Sequence, residues 1–71
     1  MAAKLKVAQA NDDASVVQDA YRGALKALYG NFSAEWIDAG GDTAKKQMTE
    51  KRFQSGLSLA RAVRDRALAL I

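Results

Sequence analysis

A chain of 71 residues that contains neither cysteine nor histidine has no covalent or metal staple with which to hold a fold. That absence constrains it more than any motif does. A domain of this length buries only about 60% of the surface its unfolded form exposes, so a single core is marginal. Chains of this size usually close the gap with disulfides, a structural metal or association. Without Cys there are no disulfides and no thiolate metal sites, and without His the commonest zinc ligand is missing too. Association, with another copy or with a larger partner, is the remaining route.

The apolar content of 49% suits a folded chain. No stretch approaches the ~20 apolar residues of a membrane-spanning helix, and residues 1–10 hold no apolar run long enough for a signal peptide. These features, with the lack of Cys, lead us to expect a cytoplasmic or virion-associated protein without membrane contact.

Periodicity divides the chain. Residues 1–11 show no clear period and read as a flexible arm, leaving 12–71 as a single small helical domain. Asn11, Asp12 and Asp13 offer N-cap oxygens. Val17, Ala20, Tyr21, Ala24, Leu25 and Leu28 then recur at three- and four-residue spacing, which predicts a helix over about 14–29. Gly30 and Asn31, both tolerant of the left-handed conformation, are the expected stop. Gly23, inside that helix, is expected to permit a close approach by another element. From Thr49, another candidate cap, a second helix is predicted to run to residue 71. Its apolar face holds Phe53, Gly56, Leu57, Ala60, Val63, Ala67 and Ile71, widened by Leu59 and Leu70 on one side and Leu68 on the other. The arc approaches half the circumference, more than a single neighbouring helix covers.

Between the helices two readings compete. Gly40-Gly41 suits a two-residue β-hairpin turn with strands 34–39 and 42–48. The run from Ala44 to Met48, however, is made of good helix formers, which favours a short turn over 33–39 and a long helix from Thr43. The expected fold is therefore mainly α: two antiparallel amphipathic helices joined by a helical turn or a small β-hairpin, the latter making it α+β.

Charge is unevenly spread. Residues 31–42 carry Glu35, Asp38 and Asp42 and no base, whereas 43–71 carry seven bases against Glu50 and Asp65, a balance of +5. Such asymmetry steers partners together or attracts nucleic acid. Arg52, Arg61, Arg64 and Arg66 have no helix-turn-helix, zinc knuckle or stacking-aromatic motif beside them, so only salt-sensitive phosphate contact is supported.

Catalysis has little to work with. Ser33, Ser55 and Ser58 lack an imidazole or thiolate partner and suit cap or surface positions. Glu35 and Asp38 are close in sequence, but nothing separates their environments as acid–base pairs require. No phosphate loop, calcium loop, metal or cofactor motif is present. Binding residues are better candidates. Trp36, Tyr29 and the arginines belong to the types enriched in interface hot spots, and Leu59 and Leu68 lie on the surplus flanks of the apolar stripe. Trp36, Tyr29, Leu59, Arg61, Arg64, Arg66 and Leu68 form the predicted partner surface. Tyr21 is the better core candidate of the two tyrosines, and Trp36 could equally close the small core. Arg64 is expected to pack its stem and to pair with Asp19 across the hairpin or with a partner carboxylate.

The run Arg22-Gly23-Ala24-Leu25-Lys26-Ala27-Leu28-Tyr29-Gly30 resembles the end of the first helix in the small head-completion, or head-to-tail joining, proteins of tailed bacteriophages. The resemblance implies a first helix closing at Gly30, a polar β-hairpin and a second amphipathic helix, in a ring-forming virion protein beneath the portal. It supplies no individual functional residue. The function expected is a non-catalytic assembly module that forms a homo-oligomer or joins a larger complex, with a phage connector as its concrete form. The alternative is a basic helical nucleic-acid-binding or regulatory protein.

Overall fold

The computed structural model consists of two α-helices, α1 (Ala2–Ala39) and α2 (Thr43–Ala69), folded into an antiparallel hairpin. Side chains are described from Asp12 onward, and the expected arm over 1–11 lies outside the described residues. No strand occurs among the described residues, so the fold is mainly α, as the periodicity implied.

Both helices are longer than their caps suggested. α1 is already helical at Asp12 and Asp13, so neither caps a helix beginning at residue 14. At the other end it passes through Gly30 and Asn31 and stops only at Ala39. These two residues permit a left-handed stop without requiring one, and the sequence beyond them still has a face to bury. Tyr21, Leu25, Leu28, Phe32, Glu35 and Ala39 are spaced alternately by four and three residues, a continuous seam. Lys46, Thr49, Phe53, Gly56 and Ala60 make the matching seam on α2, continued by Arg64 and Ala67. Thr49 is thus no cap. It lies two turns inside α2, 4% exposed, and with Ala39 at 8% is one of the two described residues closed to solvent.

The reversal takes three residues. Gly40 adopts a left-handed φ of 56°, and its N–H donates to the Ile37 carbonyl at 3.2 Å, which closes α1. Asp42 starts α2. Its side chain accepts from the Lys45 N–H at 3.1 Å, its carbonyl accepts from Lys46 at 3.1 Å, and its own N–H donates to Ala39 at 2.9 Å. The segments expected as strands, or as one short turn over 33–39, are the last turns of α1 and the first of α2. The β-hairpin that the family resemblance implies is absent from them. At the far end α2 stops at Ala69, where Leu70 turns back to donate to the Ala67 carbonyl at 3.1 Å.

Side-chain pairs fix the register. The Phe32 ring packs 5.1 Å from Phe53, Leu28 faces Gly56, and Arg64 stacks over Tyr21, 4.4 Å from the ring centroid. Gly56 provides the close approach expected of Gly23. A Cβ at Gly56 would meet the Leu28 Cδ2 atom at 2.5 Å, whereas one at Gly23 would meet nothing within 4 Å. The result is a single layer, 17 by 6 Å in its two short dimensions, in which no described side chain is fully buried.

Candidate interaction surface

A two-helix layer has two broad faces, and the seam residues decide what each displays. On one face an open apolar groove of about 570 Å³ runs between the helices. The seam residues Tyr21, Leu28 and Arg64 lie at its base, small residues such as Ala20, Ala24 and Ala27 form most of its α1 wall, and Leu59 and Val63 stand along its α2 edge. Leu59 remains 65% exposed and Val63 60%. With 3.6 residues per turn, the exposed Val16, Met48 and Leu70 fall on the same side. The surplus width of the α2 stripe is therefore left uncovered by α1 and concentrated on one face.

The other face is smaller and more mixed. Leu25, Tyr29 and Phe53 form a shallow depression there with Arg22 and Lys26 at its rim. The predicted partner residues are consequently split. Leu59 and Arg64 line the groove, and the exposed Arg66 stands at its α2 edge by helical register. Tyr29 belongs to the opposite face, and the helical spacing puts Arg61 and the half-buried Leu68 on that side as well. Trp36 sits near the turn, in edge contact with Phe32 at 5.5 Å and with the Lys46 ammonium 4.8 Å from its ring centroid. It joins an aromatic cluster and still keeps a third of its surface open, so it shares the character of core and of surface.

The polar contacts follow from the register. Arg52 pairs with Glu35 across the hairpin near the turn. Arg64 does not reach Asp19. Its Nε donates to Asp65 at 2.9 Å while its guanidinium covers the Tyr21 ring, and Asp19 pairs with Arg22 at 3.4 Å. The Asp65 hydrogen bond is the main cause holding the Arg64 pKa above its ordinary value, with burial opposing it, so this cation stays charged wherever the chain is folded. These solvent-screened pairs contribute little to stability. Of the three, only the Arg64–Asp65 pair fixes a side chain that lines the groove.

Glu35 and Asp38 share a depression with Lys45, Met48, Thr49 and Arg52. The spacing that suggested an acid–base pair thus places Glu35 against an arginine. Among the described residues no cluster of acidic side chains suits a metal ion, and no helix is long and apolar enough to cross a membrane.

The sequence did not single out the Arg64–Tyr21 stack, the Phe32–Phe53 contact, or Val16 and Met48 as exposed apolar residues. The first two need the register to be visible. Val16 and Met48 lie off the apolar stripe of their own helix and become part of a surface only when the two helices are side by side. No known protein family, characterised protein or solved structure matches the chain.

Proposed function

We propose that this chain is a non-catalytic assembly module, a helical hairpin that completes its core by packing against another polypeptide. The observation that carries this reading is the burial pattern. Ala39 and Thr49 are the only described residues closed to solvent, while Leu59, Val63, Val16, Met48 and Leu70 stay more than half exposed along one face. Covering a side chain of this kind contributes on the order of 1.5–3 kcal/mol, which is large beside the stability a single seam gives.

The basic character of α2 supports a nucleic-acid partner less well. Arg52 and Arg64 are held by Glu35 and Asp65, and Lys51, Arg61 and Arg66 project to different sides of the helix, so no stripe of free cations tracks a phosphate backbone. The phage-connector form of the proposal is supported by the Arg22–Gly30 run alone. Gly30 does not end α1, and the segment that family folds as a β-hairpin is helical, so we carry the assembly role forward in its general form.

The test is unfolding followed by circular dichroism over a wide range of protein concentration. The expected result is a chain of marginal helicity when dilute that gains stability as it associates or meets its partner. A monomer that unfolds cooperatively with about 5 kcal/mol or more of stability, unchanged by concentration, would overturn the reading.

A further inference from the structure

We propose that the turn is a lock, and that without it the chain exchanges its helices with a second copy. In the exchanged form each chain is one continuous helix. Two such helices lie antiparallel, so that α1 of one copy packs on α2 of the other and the seam is reused between chains. The exchange involves the seam and the turn alone, and it is independent of what covers the groove.

The phase of the seam makes this possible. On α1 the seam runs through Phe32, Glu35 and Ala39, and on α2 it resumes at Lys46, Thr49 and Phe53. Ala39 and Lys46 are seven residues apart, which is two turns of a coiled-coil helix. The alternation of four and three therefore passes through the turn without a break, and Asp42 falls on the seam position between them. With the turn residues helical, both halves of the seam share one face of a single helix. The contacts also keep their partners. Phe32 lies ten residues before Asp42 and Phe53 ten after Thr43, while Tyr21 and Arg64 lie twenty-one residues away on the same two sides. A two-fold axis between Asp42 and Thr43 thus remakes the Phe32–Phe53 packing, the Arg64–Tyr21 stack and the Arg52–Glu35 pair between two copies, each of them twice.

Three residues hold the closed form. Gly40 has a φ of 56°, a conformation that favours glycine and that the reversal requires. Exchange would place both Gly40 and Gly41 inside a helix, where glycine is the poorest residue after proline. Asp42 caps α2 by accepting from the Lys45 N–H at 3.1 Å. In the exchanged form it loses that role and stands in the seam beside Asp42 of the second copy, so that like charges meet at the two-fold axis. Closing the hairpin also avoids the entropy lost when two chains are joined. The seam itself is indifferent to the choice, because its pairs are the same in both forms.

The experiment compares the full parent chain with the double variant Gly40→Ala, Gly41→Ala, from micromolar to millimolar concentration. Alanine at position 40 strains the reversal, and both alanines favour continuous helix. The dissociation constant of the exchanged dimer should therefore fall by about a thousandfold or more. Light scattering gives the mass. Because the sequence has no cysteine, Gln18→Cys and Ala62→Cys, both at exposed positions, can carry a pair of fluorophores in one chain diluted with unlabelled copies. In the closed hairpin the two sites stand side by side within two turns, since Tyr21 lies against Arg64; in one continuous helix they are about 65 Å apart. At the dilute end both chains should keep their energy transfer. As concentration rises the variant should double in mass and lose transfer, while the parent keeps it. Adding Thr43→Pro should close the variant again. Proline suits the first position of α2, where the preceding Asp42 is already extended at φ −79° and ψ 104°, but it breaks a continuous helix. A variant that keeps its transfer at every concentration overturns the exchange, and if its mass still doubles, whole hairpins are docking. Loss of transfer without a doubled mass, or loss that survives Thr43→Pro, overturns the continuous helix. A parent that opens as readily as the variant overturns the glycine lock.

Discussion

The two adjacent glycines of the turn are expected to respond in opposite directions to the same substitution. Gly40 has a φ of 56° and Gly41 does not have a positive φ, and at neither position does an added Cβ meet an atom within 4 Å. Space is therefore not at issue, and only backbone conformation separates the two sites. Gly40→Ala forces a Cβ into the left-handed region, which costs roughly 1–2 kcal/mol. Gly41→Ala needs no such conformation and reduces the freedom of the unfolded chain, a gain of roughly 0.4–1 kcal/mol. The expected gap is about 2 kcal/mol. For 71 residues the unfolding entropy is on the order of 0.15 kcal/mol per kelvin, so the two variants should melt about 13 °C apart. Thermal unfolding at one fixed protein concentration measures this, because association makes the midpoint depend on concentration. Gly40→Asn should recover part of the loss, since Asn tolerates the left-handed region. In a two-residue hairpin turn of type I′ both glycines would need positive φ. Equal losses at Gly40 and Gly41 would therefore refute the helical turn.

Three further outcomes follow from local geometry. Asp42→Ala removes the acceptor for the Lys45 N–H and should lower stability by about 1 kcal/mol in a melting experiment, with Asn restoring most of it. Gly56→Ala should fall short of the ~1 kcal/mol that helix propensity offers, because Leu28 Cδ2 lies 2.5 Å from the new Cβ and must rotate away; a full gain in urea denaturation would show the seam to be looser there. Phe53→Ala removes the Phe32 contact and should cost roughly 2 kcal/mol, below the 3–5 kcal/mol of a fully enclosed Phe, measured the same way.

The existence and pairing of the helices were legible in the sequence because apolar residues recur at helical spacing around Val17–Leu28 and Phe53–Ala67. Of their ends only the start at Thr43 was legible, from the helix formers Ala44–Met48. Gly30-Asn31 looks like a helix stop, and so does Gly40. Only the second coincides with the end of the apolar seam, where Ala39 is buried and Asp42 offers a better cap than Thr49. Charge asymmetry and surplus apolar width were also visible, being properties of one helix at a time. What was hidden is everything that depends on register. Tyr29 and Leu59 looked like parts of one surface because both are large and off the core stripe. The pairing of Phe32 with Phe53 and of Tyr21 with Arg64 sets them on opposite faces.

Gly23 and Gly30 give the assembly role its most specific consequence. Each weakens α1 by about 1 kcal/mol relative to Ala, and neither has a neighbour within 4 Å of a built Cβ. Nothing inside the hairpin explains them. They share a row with Ala20, Ala27 and Ala34, at alternating three- and four-residue spacing, along the α1 edge of the groove. A partner seated on the groove face lies over that row, where missing side chains let two backbones approach. Gly23→Leu should therefore act with opposite signs on two observables. The helix of a dilute chain becomes more stable, because Leu is a strong helix former and meets no obstacle. Association becomes weaker, because the new side chain stands where the partner has to fit. Circular dichroism on the dilute chain and light scattering on the concentrated one separate the two effects. If helicity and association rise together, the row is not a contact surface, and the glycines are a cost for which this hairpin shows no return.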